Sequence, residues 1–124
     1  MGEGAHSEGG ACIAYGDYSH AEGKYTKASY SAHAEGDSTN AIGQRSHAEG
    51  TRTTALGNSS HAEGTDTKAN DYNAHAEGKN STASGEASHA EGIETLAQGN
   101  GAHAEGAKLT ITYTKDDDTK EVVE

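Results

Sequence analysis

The chain has 124 residues, enough for one ordinary domain, and it carries a formal net charge of −11. It contains neither Phe nor Trp, and Leu, Ile and Val together number nine, which excludes a conventional apolar core. The acidic balance excludes a phosphate-binding surface, so we expect no nucleic-acid partner. No apolar run reaches the roughly 18–20 residues that span a bilayer, so we expect no membrane insertion.

A repeat organises residues 1–106, which we interpret as one domain. Alanine recurs almost every seven residues, usually with Ser or Thr two positions before it and Gly two positions after it. The half-unit is therefore S/T-x-A-x-G-x-x, and every second half-unit contains a histidine two positions before a glutamate. The histidines are spaced by 14 residues, with one interval of 13, and lie at positions 6, 20, 33, 47, 61, 75, 89 and 103.

The half-unit predicts a short strand followed by a tight turn. A coiled coil is excluded, because no large apolar residue fills a second heptad position and a helix would hold a glycine every seven residues. In a strand, Ser/Thr, Ala and Gly share one face and the two residues between them share the other. We expect the glycine to supply positive φ at the turn, and Asp71 to replace it in one half-unit.

Two half-units then form one coil of a thin β-solenoid, with coils stacked ~4.8 Å apart. Ser, Ala and Gly face the interior, which has room only for small side chains. Residues 24–36 form a unit that is one residue short, so a turn should be tightened near Tyr30. An alanine-lined interior buries little apolar surface, and we therefore expect the chain to be stable only as an oligomer.

Residues 107–124 depart from the repeat. "KLTITYT" (108–114) alternates apolar and polar residues, which predicts a half-buried strand. "KDDDT" (115–119) is typical of a turn, and "KEVVE" (120–124) predicts the return strand of a hairpin. This segment is either a cap on the open end of the solenoid or the start of a following domain.

The half-unit resembles the head repeat of the YadA-type trimeric autotransporter adhesins, whose motif reads N-S-V-A-I-G-x-x-S. "NAIG" (40–43) and "TALG" (54–57) are similar to that motif, and the SHAEG form resembles head-like repeats of phage and prophage tail fibres. The resemblance covers residues 4–106. It implies an all-β, left-handed parallel β-roll of ~14-residue coils, assembled as a homotrimer, here with a short C-terminal strand or hairpin.

Aligned with S-V-A-I-G, the His and Glu of S-H-A-E-G take the positions that face the partner chains. The pair is nearly invariant across eight units, whereas the corresponding residues of the other half-unit vary freely, as expected of a solvated face. We therefore predict a trimer interface with His–Glu hydrogen bonds between chains. Its residues are His6, Glu8, His20, Glu22, His33, Glu35, His47, Glu49, His61, Glu63, His75, Glu77, His89, Glu91, His103 and Glu105.

Eight equivalent His–Glu pairs without a unique nucleophile argue against an enzyme, so we expect no catalytic residues. Three histidines around a threefold axis would suit a metal ion, but a structural His–Glu ladder without an ion is the favoured interpretation. We thus expect neither a metal nor a cofactor. Five of the tyrosines fall on outward or turn positions, where a host glycan or protein could bind: Tyr15, Tyr18, Tyr25, Tyr30 and Tyr72.

These features together predict a fibrous structural or adhesive module outside the cell or on a virion. It would be a rigid trimeric head or spacer of a phage tail fibre or of a bacterial surface adhesin. The alternative is a receptor- or glycan-binding head that acts through its outer face.

Overall fold

The structure is a computed structural model, and it describes residues 1–114 and 120–123. In this part of the chain all regular structure is β, in seventeen strands numbered here in chain order. The described residues include no helix that is long and apolar enough to cross a membrane.

The strands form two sheets that face each other across the solenoid. Sheet A holds the strands that begin at each histidine: β1 (His6–Gly10), β3 (His20–Lys24), β5 (His33–Asp37), β7 (His47–Thr51), β9 (His61–Thr65), β11 (His75–Lys79), β13 (His89–Ile93) and β15 (His103–Ala107). Sheet B holds β2 (Ile13–Ala14), β4 (Lys27–Ala28), β6 (Asn40–Ala41), β8 (Thr54–Ala55), β10 (Lys68–Ala69), β12 (Thr82–Ala83), β14 (Leu96–Ala97), β16 (Thr110–Thr114) and β17 (Lys120–Val123).

Successive coils are parallel and in register, so that like residues stack on like. His47 pairs with His61, for example, and Ala55 pairs with Ala69 in the opposite sheet. The short unit keeps this register, since His20 still pairs with His33. The prediction of an all-β parallel solenoid, with about eight coils 14 residues apart, is confirmed.

The interior consists of alanine with buried Ser and Thr. The repeat alanines of both sheets are at most 2 % exposed, and the hydroxyl residues two positions before them are buried as well. Several serines at the entry to sheet A close the preceding turn: the Oγ of Ser46, for example, donates to the carbonyl of Gly43 at 2.6 Å. The backbone ladders between coils satisfy the amide groups of this thin interior.

The sequence predicts positive φ at the glycines of both half-units, but only those of sheet A have it. Gly50 and its equivalents in sheet A have positive φ, but Gly57 and Asp71 at the corresponding turn of sheet B do not. In both turns the left-handed residue lies two positions later, as at Arg52 and Asn73, with φ of 55° and 58°. The expectation that Asp71 adopts this conformation was therefore wrong. Gly57 is needed for space instead, because a Cβ there would lie 2.0 Å from the carbonyl oxygen of Asp71.

The C-terminal segment continues sheet B beyond the repeat. Strand β16 pairs parallel with β14, and β17 returns antiparallel to β16, as the predicted hairpin requires. Ile111 stacks on Ala97, is 2 % exposed, and is the largest fully buried side chain of the described residues. The predicted turn at 115–119 lies outside the described residues.

Candidate functional site: the His–Glu face

Strand geometry places the His and Glu of every repeat on the outer surface of sheet A. The alanine between them points inward and is buried, so its two neighbours point outward. We call this outer surface the His–Glu face. From His33 to His103 its histidine side chains are 33–37 % exposed, so they are only partly covered by their own chain.

The imidazole rings of the His–Glu face form a continuous stack. From His33 to His103 successive ring centroids are 4.6–4.8 Å apart and the ring planes differ by 2–6°. The stack is less regular at the first coil, where the rings of His6 and His20 meet edge to face at 73°. In-register pairing of parallel coils imposes this spacing, because each ring lies directly above its equivalent.

Each histidine also lies beside the glutamate of its own coil. The Nε2–carboxylate distance is 3.1 Å for His6 and His20, which allows a hydrogen bond, and 3.3–3.8 Å in the later coils. From His61 onward, the glutamate of the preceding coil approaches the same nitrogen to 3.3–3.8 Å. The sixteen predicted residues thus come together within one chain, while their contacts between chains stay a prediction.

Stacked carboxylates change each other's affinity for protons. Hydrogen bonding to Glu49 and partial burial raise the pKa of Glu35 to about 7. Hydrogen bonding to Glu77 and Glu49, again with burial, raises the pKa of Glu63 to about 7. The partners shift the other way: accepting those hydrogen bonds lowers the pKa of Glu49, and it lowers the pKa of Glu77 to about 2. Neighbouring glutamates therefore share protons near neutral pH, which reduces repulsion along the stack.

The imidazole stack favours neutral histidine. Burial, followed by the charge of neighbouring histidines, lowers the pKa of His33, His61 and His75 below the ordinary value of 6.5. The ring nitrogens of several histidines are also buried without a hydrogen-bond partner. This set comprises the Nε2 atoms of His33, His47, His61, His75 and His89.

A groove of about 1510 Å³ runs along the His–Glu face, lined by its glutamates and, from Gly23 onward, by the glycine that follows each of them. The glycines allow this shape because successive coils approach closely there: a Cβ on Gly50 would lie 2.1 Å from the carbonyl oxygen of Gly64. The repeat pattern predicted these glycines inside the coil and did not indicate their part in the groove. The available signal was that the sheet A glycine is present in all eight units, whereas the sheet B glycine is not.

The fold and its repetitive face define a class of protein, namely fibrous β-solenoid modules in which a structural surface recurs at every coil. The family model for the YadA head domain repeat matches residues 34–60, 48–67, 72–85, 76–102 and 90–108, which together exceed half of the chain. The chain therefore belongs to the YadA head repeat family. A comparison with curated proteins found no match.

Membership in this family makes the chain a structural or adhesive module of the trimeric autotransporter adhesin type. Heads of this kind are surface-exposed, extracellular modules that form trimers and bind host surfaces. The family and the solenoid fold both point to a structural, non-enzymatic protein.

Proposed function

We propose that three copies of this chain assemble around one axis with their His–Glu faces turned inward, forming a rigid rod. The rod would serve as a head or spacer in a bacterial surface adhesin or a phage tail fibre. The observation that carries the proposal is the contrast between the two outer surfaces. The face on sheet A repeats His and Glu in all eight coils, whereas the outer positions of sheet B range from Lys68 to Leu96.

Three further observations support burial of the His–Glu face between chains. The histidine side chains from His33 to His103 are still 33–37 % exposed in the single chain, so a second chain can cover them. The groove beside the glutamates offers space that a second chain would fill. The interior of a single coil contains only alanine and small hydroxyl residues, which bury little apolar area.

Sedimentation analysis tests the assembly. The chain has a mass of 12.7 kDa, so we expect a trimer of about 38 kDa. Glu63→Lys puts an uncompensated positive charge into the proposed interface and should shift the protein toward monomer. Thr82→Lys is the matched control, since lysine already occupies the equivalent position of sheet B at Lys68. A folded monomer for the unaltered chain, or equal dissociation by both variants, would overturn the proposal.

A receptor-binding head is the second candidate, supported by exposed tyrosines. Tyr15, Tyr18, Tyr25 and Tyr30 lie in the first two coils and are 43–67 % exposed. Exposed aromatic rings of this kind suit stacking on the faces of sugars, where the ring also offers a hydroxyl group. Binding to a glycan array that is lost in a Tyr18→Ala/Tyr30→Ala variant and retained in Tyr72→Ala would favour this function over a spacer.

A further inference from the structure

At His61, His75 and His89 the atoms of the His–Glu face are spaced for a metal ion better than for hydrogen bonds, whereas the Nε2 of His103 lies within hydrogen-bonding distance of Glu91, at 3.3 Å. In the last four coils each Nε2 has two carboxylate oxygens within 4 Å, one from its own coil and one from the preceding coil. For His61 the two distances are 3.5 and 3.8 Å, and for His75 both are 3.7 Å. These separations exceed the usual N–H···O range of roughly 2.7–3.2 Å.

The same separations are close to the edges of a coordination tetrahedron, although most of them are slightly longer. Ligands held about 2.0–2.2 Å from Zn²⁺ in tetrahedral geometry lie about 3.3–3.6 Å from one another. One ligand atom from each of Glu49, His61 and Glu63 lies within 4.8 Å of the other two, so small side-chain rotations would bring all three onto one ion. The buried Nε2 of His61 has no hydrogen-bond partner that an ion would have to displace.

We propose that the His–Glu face binds Zn²⁺ within each chain, at sites made of one imidazole nitrogen and two glutamate oxygens. The Glu49–His61–Glu63 set carries the geometry, and we extend the same arrangement to His75, His89 and His103 because each of their Nε2 atoms also has a glutamate of its own coil and one of the preceding coil within 4 Å. Neutral imidazole and carboxylate are ligands that Zn²⁺ accepts, and three protein ligands leave one position for water or for a group from a neighbouring chain. The sequence favoured a ladder without an ion, and the positions of the ligand atoms are what change that interpretation.

Charge limits how many of these sites fill at once. Each coil contributes one carboxyl group and one neutral ring, and Zn²⁺ binding displaces any proton that the carboxyl groups share, so one ion is balanced by the carboxylates of two coils. Ions in adjacent sites would lie near the ring spacing of 4.7 Å and would share a glutamate, since Glu63 contacts both His61 and His75. Alternate occupancy follows, with about two ions per chain over the last four coils.

The proposal goes beyond the trimeric head or spacer and does not depend on it, because every ligand comes from one chain. If the chain binds zinc as a monomer, the proposal of metal sites stands and the proposal of a trimer fails. If the chain is a trimer that binds no zinc, the proposed function stands and the proposal of metal sites fails. Measuring mass and bound metal on the same sample therefore separates the two failures.

The shared glutamates allow a compact test by substitution. Glu63 contacts both His61 and His75, and Glu91 contacts both His89 and His103. The double variant Glu63→Gln/Glu91→Gln therefore alters all four sites. Glu86→Gln/Glu94→Gln is the matched control, because it makes the same charge change on exposed residues away from the face. The protein should carry no polyhistidine tag, and Zn²⁺ binding should be measured by calorimetry and by metal analysis after dialysis.

We expect the unaltered chain and the control to bind about two Zn²⁺ each, and Glu63→Gln/Glu91→Gln to bind at least about tenfold more weakly. Ca²⁺ should not compete, because a ring nitrogen is a poor ligand for it. No uptake by the unaltered chain, or equal uptake by the two variants, would overturn the proposal. If the glutamine variant fails to assemble, the ring ¹⁵N chemical shifts of the unaltered chain are followed during Zn²⁺ titration. Nε2 signals that do not shift would contradict the proposal.

Discussion

A Cβ atom added to Gly64 would lie 2.1 Å from the carbonyl oxygen of Gly78 in the next coil, and Gly64 also has a φ of +106°. Two separate requirements therefore demand glycine at this position, close approach of the coils and a backbone conformation that side chains disfavour. At the end of the repeat only one of these two requirements applies. Gly106 has a φ of +121°, but an added Cβ there would meet nothing within 4 Å.

We predict that Gly64→Ala destabilises the protein far more than Gly106→Ala. Gly106→Ala costs only the backbone conformation, about 1–3 kcal/mol. Gly64→Ala also forces two coils apart and breaks the hydrogen-bond ladder between them. Urea denaturation followed by circular dichroism measures both free energies of unfolding. Equal, small losses for the two variants would show that the coils separate easily and that this contact does not hold the stack.

A second prediction concerns the left-handed residues at the turns. Ala87 has a φ of 55°, and glycine already occupies the equivalent position one coil later, at Gly101. Ala87→Gly should stabilise the protein by up to about 1 kcal/mol, since it relieves the left-handed conformation at some cost in chain entropy. Ala83→Gly, in a buried strand, is the control and should lower the melting temperature. A fall for Ala87→Gly would contradict the conformational argument.

A third prediction concerns buried hydroxyl groups. The Oγ1 of Thr53 is buried without a hydrogen-bond partner, whereas the Oγ1 of Thr95 donates to the Oγ of Ser81 at 2.9 Å. Thr53→Val should be neutral or stabilising, because it removes an unsatisfied polar group at constant shape. Thr95→Val should cost about 1 kcal/mol, because it removes a hydrogen bond and leaves Ser81 with one partner fewer. Thermal unfolding of the two variants side by side measures the difference, and the reverse order would refute it.

The seven-residue spacing of the alanines predicts the coil and its interior, but not which turn residue adopts the left-handed conformation. Ala every seven residues, flanked by small residues, leaves only a thin solenoid with alanine inside, and the buried Ala48 and Ala55 confirm this. The left-handed position could not be read from the sequence, because it holds residues as different as Tyr25, Arg52 and Ala87. In these turns the path between stacked coils dictates φ, and local propensity does not.

The sequence predicts that His and Glu share one face of the strand, but it does not predict which glutamates contact each histidine. Alternation along the strand puts His61 and Glu63 on the same side, and the repeat stacks them on the next pair. Contact of His61 with Glu49 in the preceding coil depends on how the long side chains turn, which spacing does not determine. That contact is what places two carboxylates around one nitrogen.

The last prediction follows from the shared protons of the glutamate stack. A carboxyl whose pKa rises from 4.5 to about 7 on folding, as at Glu63, stabilises the protein fully below the unfolded pKa, and this contribution disappears as pH rises through about 7. Glu77, whose pKa falls to about 2, contributes above the unfolded pKa and loses its contribution as pH falls through about 2. The contribution of Glu63 should therefore fall as the pH is raised from 5 toward 8. The lowered pKa values of His33, His61 and His75 act in the opposite direction below pH 6.5, so the contribution of Glu63 is measured as a difference between variants.

Glu63→Gln tests this cause directly. The amide cannot ionise but still donates a hydrogen bond, so the variant should lose less stability than the unaltered chain over the same rise in pH. The comparison is made in a chelator, which removes any contribution from bound metal, and Glu86→Gln is the control for loss of an exposed carboxylate. Parallel melting curves for the unaltered chain and Glu63→Gln would show that Glu63 holds no extra proton in the folded state.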